Sequence, residues 1–408
     1  MKDKLEYMYK LIDNKFYFRL FYLFVSLSMV TMLKEVPKIN ILSKIALAWG
    51  ILLILFMVCN DYKKRKIYAF DIALGIFICI TLILNIVVYR NGDNLKVWLV
   101  NLVLFVSVFT VEVFKNKKIL IKEVNIITRF YAVFMFMASS ISLLMRVFNK
   151  SITIGETIFE GSRAGVFENP NAISIAASIA IVMSIYMHHI EKDYKLKFFW
   201  IINTVIQAAV MIIFHGRSSY LVVIAVVYCF IFVYSRNKYI RGFLVVLPVI
   251  ACVAVAGVES DYIRDFTSGR TSLWESASIV IKDNPMTGVG YSDMTEAVTN
   301  ARETDDLPGL TTGRLHNIYV ETAAVNGLIS LAFLFAFIIL LLIFIINHID
   351  HLRKKEKFDM TVLTSAIIGI LAVNLFESNL IYIISFISMI FWIYSGYLIS
   401  IISNRNIE

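Results

Sequence analysis

The sequence predicts an all-α polytopic integral membrane protein, with about twelve transmembrane helices and a long external loop that carries a short amphipathic helix. Three observations lead there. Of 408 residues, 59% are hydrophobic and only 17% are charged, against about 25% charged in soluble domains, and the mean hydropathy is +0.75. Apolar runs recur at lengths near the roughly 20 residues that a helix needs to cross the hydrocarbon. The basic residues, finally, collect in alternate short loops between those runs. Five prolines in the whole chain leave little room for disordered linkers.

Taken in order, the expected spans are 16–33, 41–59, 67–88, 97–114, 124–148, 171–187, 198–215, 218–234, 242–258, 317–346, 360–376 and 380–401. The junctions at 215–218 and 376–380 are the shortest. The loops DYKKRK, KNKKILIK, EKDYKLK, YSRNKYIR and HLRKKEK each hold three or four Lys or Arg, whereas KEVPKIN and YRNGDNLK hold two and FESNL none. The basic set is expected on the cytoplasmic side, which places both termini inside. The polar N-terminus MKDKLEYMYKLIDNK leads into an apolar run with no small-residue cleavage site, so the first run reads as an anchor and not as a signal peptide. The net charge of +9 is a matter of topology rather than nucleic-acid binding, because the basic residues are split among short loops. Cys59, Cys79, Cys229 and Cys252 all fall in apolar runs and share no motif, so neither disulfide nor redox chemistry is expected.

The whole chain, 1–408, reads as a single polytopic domain with two segments facing out: a loop at 149–170 and a large hydrophilic loop at 259–316. Structureless loops of that length are uncommon unless functional. Within the larger one, Ser272 and Glu275 of SLWE fit a capping box. Leu273, Ala277 and Val280 then recur at helical spacing until DNP ends the pattern. A Gly-Val-Gly turn follows at 288–290. It neither follows a strand nor opens a helix, so a dinucleotide loop is a poor reading. No internal repeat is visible, and the two halves lack the paired broken helices of many transporters.

The polar residues of the outer segments carry the chemistry. His188, His189, His348 and His351 lie in or beside basic inner loops, and the i, i+3 pair His348/His351 has no third metal ligand near it. His215 and His316 are external, and His316 opens a long apolar helix. Arg217 is wedged between two apolar runs, either as an anchor that snorkels to headgroups or as an anion-binding group facing a cavity. Arg163, Arg270 and Arg314 each follow Gly closely in GSR, SGR and TGR. Four arginines on one face point to a phosphate or diphosphate, which the planar guanidinium fork suits. Asn169-Pro170-Asn171 fits a helix start, with Asn169 as N-cap and Pro170 at N1. Asn317 and Glu321 share a helix face. Glu321 and Glu377 are each able to orient a histidine, accept a sugar hydroxyl or form a structural ion pair, and the sequence leaves these open. No metal site and no cofactor is expected.

The pattern His316-Asn317, nine residues, then Gly327 resembles the histidine motif of the O-antigen ligase and polymerase family. GR-x-x-LW at 269–274, NPMTGVG at 284–290, NPN at 169–171 and GRSS at 216–219 are similar to it as well. The resemblance covers roughly residues 160–345. After Gly327 the sequence continues Leu-Ile-Ser, where the family often has a second small residue. The resemblance implies a multispanning glycosyltransferase of the cytoplasmic membrane that takes a glycan from an undecaprenyl-diphosphate carrier at the outer face. It implies that His316 activates the acceptor hydroxyl, that Arg217 and Arg270 hold the diphosphate, and that no metal takes part. A polymerase, joining lipid-linked repeat units into a longer chain for a capsule or similar polymer, is the leading expectation, with membrane lipids, a flippase and a chain-length regulator as partners. A ligase that moves a finished glycan is the first alternative. A lipid-glycan transporter is the second, and it would need charges deep in several spans.

Overall fold

The computed structural model describes residues 6, 9–61, 66–256, 264, 267–302 and 307–404, with the side chains of 60, 61 and 251–256 excepted. Most of the expected inner loop at 61–66, the opening of the expected outer loop at 259–316 and the side chain of Cys252 lie outside the described residues. The helices are α1 (Lys15–Ser28), α2 (Ile39–Phe56), α3 (Ala69–Ile83), α4 (Gly92–Leu102), α5 (Lys117–Val147), α6 (Pro170–Ile190), α7 (Tyr194–Phe214), α8 (Tyr220–Tyr234), α9 (Lys238–Ala256), α10 (Arg270–Asp283), α11 (Met294–Asn300), α12 (Ile318–Ile349), α13 (Lys354–Val373) and α14 (Phe386–Ile402). Among the described residues, seven helical stretches are long and apolar enough to cross a membrane: Ile39–Cys59, Ala69–Tyr89, Lys117–Val147, Pro170–Ile190, Tyr194–Phe214, Arg217–Tyr234 and Ile318–Ile349. The protein is an all-α polytopic membrane protein. α6 and α14 are buried on nearly every side, as expected for helices that are apolar all round, and the other spans surround them.

The loops segregate to two ends of the bundle. At one end Arg241 holds Asp350 through two hydrogen bonds of 2.6 and 2.9 Å, and His189 pairs with Asp359 at 2.6 Å. At the other end the turn after α1 bonds the segment before α6, through Met32 N to Val166 O at 2.8 Å. The 284–292 turn meets Tyr89, which donates to Thr287 O, and Asn94, which accepts from Ser292 N, at that same end.

Four expectations need correction. The 149–170 segment, expected as an external loop, holds a β-hairpin, β1 (Ser151–Ile154) with β2 (Thr157–Glu160). Arg163 follows it, exposed. The 97–114 span is helical only to Val108. Arg19, wholly buried in α1, donates to Val108 O at 3.1 Å and Thr110 O at 3.2 Å, and these bonds satisfy carbonyls that would otherwise need further helix. Ser272 does not cap α10. The helix is entered three residues earlier, from Gly269 in the left-handed region (φ 78), and Ser272 and Glu275 both bond Arg302 instead. The expected burial of Leu273, Ala277 and Val280 is observed, as is the stop at Asn284.

The fourth correction concerns the last two spans. The expected 376–380 turn is a longer non-helical segment, 374–385, most of it buried. Its residues Leu380-Ile381-Tyr382-Ile383-Ile384 are apolar enough to read as helix. Non-helical backbone at such depth survives only where protein satisfies its polar groups, and here side chains do so. Asn374 Oδ1 accepts from Asn379 N and Asn101 Oδ1 from Tyr382 N, at 2.8 and 2.7 Å. Arg270 donates to Phe376 O, Arg314 to Ser378 O, and Trp392 to Leu380 O.

α12 is likewise not continuous. Gly327 has φ 78 and ψ 170 and interrupts it. The break frees carbonyls in a hydrocarbon-depth helix, and the NPMTGVG turn takes them up. Val289 N donates to Ala324 O at 2.9 Å, Gly290 N to Val325 O at 3.0 Å, and Leu328 N donates to Pro285 O at 2.7 Å. Only glycine fits at 327, because its φ/ψ is essentially closed to other residues and a Cβ would overlap the Met286 carbonyl. Two motifs far apart in sequence are thus one structural joint.

Candidate functional site

The first turn of α12 is fixed by its neighbours before any chemistry begins. Asn317 caps it, its Oδ1 accepting from Tyr319 N and Val320 N at 3.0 and 3.1 Å. Leu315 is fully buried, its N–H bonded to Glu321 Oε2 at 2.9 Å and its carbonyl to Trp274 Nε1 at 2.8 Å. Between these two anchors His316 is held in the left-handed region, at φ 51. Such backbone costs on the order of 1–3 kcal/mol. The ring is 16% exposed.

His316 Nδ1 lies 3.4 Å from Glu377 Oε2. Glu377 projects from the buried 374–385 segment and is itself 7% exposed. Its other oxygen accepts from Asn171 Nδ2 at 3.1 Å and faces Arg270 Nη2 at 3.4 Å. Three elements therefore converge on one carboxylate: the starts of α6, α10 and α12. A carboxylate at Nδ1 favours the tautomer with the proton there and leaves Nε2 as an acceptor. Nε2 is 3.4 Å from the Thr312 hydroxyl, and Gly309 lies so close that an added Cβ would be 2.6 Å from it. A glycine here is what lets the chain pass the Nε2 edge of the ring.

The structure separates the two glutamates that the sequence left equal. Glu377 faces the histidine. Glu321 is fully buried and pairs with Arg314 at 2.9 Å. Arg314 also donates to Ser378 O and stacks over Tyr291, with 5.9 Å from Cζ to the ring centroid. It braces the 374–385 segment from behind. Asn169 caps α6, accepting from Ala172 N at 2.8 Å with Pro170 at N1, as read from NPN. The GRSS turn packs on that same helix start, Gly216 N donating to Ser174 Oγ at 3.0 Å. Arg217 stands exposed on this turn. Arg163 is also exposed, beside Glu160, Glu168 and Lys34 in a separate hollow. Arg270 and Arg314 converge on the 374–385 segment.

Sequence reasoning passed over Asn101, Asn374 and Tyr382, which shape this segment. The two asparagines gave a signal, as amides inside apolar runs, since polar side chains at membrane depth rarely lack a role. Among the described residues no cluster of His, Cys, Asp and Glu is grouped to hold a metal. A cleft of about 560 Å³ opens beside Glu377 and Asn171 and runs between α1, α2, α4 and α6.

None of the curated proteins compared with this chain matches it. Residues 202–335 match the family model described as O-antigen ligase. The matched third of the chain runs from α7 to just past the break in α12, and holds Arg217, Arg270, Arg314, His316 and Gly327. Glu377 and Asn171, which complete the geometry around His316, lie on either side of it. Over this third of its length, which ends in the histidine-led broken helix, the chain is similar to the O-antigen ligase family.

Proposed function

We propose that this protein is a polysaccharide polymerase. It would transfer an oligosaccharide repeat from an undecaprenyl-diphosphate donor onto a growing lipid-linked glycan, at the outer face of the cytoplasmic membrane. The observation that carries the reading is the Glu377–His316 pair with Arg270 on the same carboxylate. A sugar hydroxyl is a poor nucleophile, and a neutral imidazole within reach takes its proton as the new bond forms. In the proposed step His316 Nε2 accepts that proton. The acceptor oxygen bonds the donor's anomeric carbon, and the bond from that carbon to the diphosphate oxygen breaks. The diphosphate leaves with the electron pair, so cationic stabilisation replaces a general acid. Arg270 has five donors, two of them engaged by Phe376 O and Glu377, and turns others toward the leaving group. Arg217 and Arg163, exposed at the same end, are the further contacts expected for the diphosphate or its glycan. Arg314 keeps the Glu377 segment in place, and Asn171 fixes the carboxylate. The step needs neither metal nor organic cofactor.

The basic loops favour both termini in the cytoplasm and this site outside. Twelve crossings follow if the shorter helices α1, α4 and α14, the more charged α13 and the apolar α9 also span. A flippase supplying the donor and a chain-length regulator would then act beside it. Purified protein incubated with a defined lipid-diphosphate oligosaccharide tests the reading. A ladder of lengthened products is the expected result. Transfer only to a different acceptor would make the protein a ligase, and no glycan transfer with either acceptor would refute the enzyme.

A further inference from the structure

The 560 Å³ cleft has a composition that the catalytic residues do not use. One end is polar and belongs to the site, with Asn169, Asn171 and Glu377. Its walls are apolar: Leu47, Val100, Ile175, Ile384 and Ile387. Lys44 also lines it, on the sixth residue of α2 and so about 7.5 Å along the helix from its start. A lysine at that depth on a membrane-spanning helix is costly and calls for a partner. No carboxylate pairs with it among the described residues. The two acidic groups of the cleft are already matched, Glu168 by Lys34 and Glu377 by Arg270 and His316. The cleft therefore carries one uncompensated positive charge above a greasy wall, continuous with the reactive pair.

We propose that this cleft binds a second polyprenyl-diphosphate-linked glycan, the acceptor, with Lys44 on its phosphate and the apolar wall along the first isoprene units. The inference rests on the polymerase reading, in which donor and acceptor are both carried on polyprenyl diphosphate. It adds where the second one sits. The lipid lies along α2 and the 383–387 segment, and its glycan reaches past Asn169 toward His316. The donor is left the opposite side of Glu377, where Arg270 and Arg217 stand. Lysine suits this place better than arginine would, since a single flexible ammonium follows a phosphate that must slide as the chain lengthens.

The test counts bound lipids and follows Lys44. Undecaprenyl diphosphate carrying a short oligosaccharide is titrated into the purified full-length protein, and stoichiometry is read by native mass spectrometry. The parent is expected to bind two molecules. Lys44→Gln, on an exposed residue and so no threat to folding, should weaken one of them at least tenfold. Lys44→Arg should restore most of that loss, because the charge returns. In turnover assays Lys44→Gln should raise KM for the lipid-linked acceptor tenfold or more and leave kcat near parental. Two bound molecules with no change in Lys44→Gln, or a single site, would overturn the inference and leave the polymerase reading standing. Equal displacement by phosphatidylglycerol would mark an ordinary phospholipid groove and overturn it too. No binding of the lipid-linked glycan to the parent would remove both.

Discussion

Replacing Glu377 by Gln changes one atom and keeps the shape. In the structure Oε1 serves Asn171 and Arg270, and Oε2 serves His316 Nδ1. A glutamine has a single acceptor oxygen. If that oxygen stays with Asn171 and Arg270, the amide NH₂ faces Nδ1, which must then accept. The ring proton moves to Nε2 and the base is lost. If the amide turns over, it sets donors against donors on the other side. A positioned general base contributes about 10²–10⁴ in rate. The 3.4 Å separation between Oε2 and Nδ1 is long for a hydrogen bond, so the orienting effect is loose. The loss is therefore expected at the low end, about 100-fold, or ~2.7 kcal/mol of transition-state stabilisation. The assay is turnover of a lipid-diphosphate oligosaccharide at saturating donor. Yield from membranes should not fall, since an amide is easier to bury than a carboxylate. Adding His316→Gln to Glu377→Gln should cost nothing more than His316→Gln alone, as for residues that act as a unit. Near-parental turnover of Glu377→Gln, or fully additive losses in the double variant, would refute the argument that the carboxylate works through the ring.

Gly327→Ala places a Cβ on backbone closed to it and against the Met286 carbonyl. A loss of about 1–3 kcal/mol from the backbone alone, read as a lowered melting temperature in detergent, is expected, and unchanged melting would mean α12 closes its break. Glu321→Gln leaves Arg314 without its buried carboxylate, and breaking such a pair costs about 3–5 kcal/mol; wild-type stability would show the pair to be dispensable. At the opposite end, the Arg241 guanidinium hydrogen-bonded to Asp350 holds that carboxyl below the usual carboxylate range, with Lys357 adding to it. A lowered folded-state pKa gives stability that is present above the unfolded value of about 3.9 and is lost as pH falls through the folded one. Asp350→Asn should thus melt below the parent at pH 7 and converge with it below pH ~4; a constant gap across that range would contradict the linkage. In a chain whose own cysteines are replaced, Thr299→Cys should react with a membrane-impermeant thiol reagent in intact cells and Lys355→Cys should not. The reverse pattern would invert the orientation.

The sequence by itself determined the class of protein and the place of most helices, though not all of their ends. Those features depend on local quantities. Apolar length sets a span, basic loops divide the chain into two sets, and Asn169-Pro170 or Asn317 caps a helix with its own side chain within three residues. His316 and Arg270 were legible for a related reason, since polar groups beside hydrocarbon are conspicuous in one dimension. What the sequence could not decide was every feature in which a distant side chain replaces a backbone partner. Residues 380–384 are as apolar as any span, and they leave the helix only because Asn101, Arg314 and Trp392, from other elements, take up their N–H and C=O groups. The break at Gly327 exists because a turn forty residues earlier supplies the missing bonds. The two glutamates look alike in sequence, and only the path of the 374–385 segment brings Glu377 to His316 while α12 turns Glu321 inward to Arg314. Helix-forming tendency is a property of neighbours along the chain, whereas satisfaction of a buried polar group depends on whichever residue is nearest in space, and that is settled only when the bundle has formed.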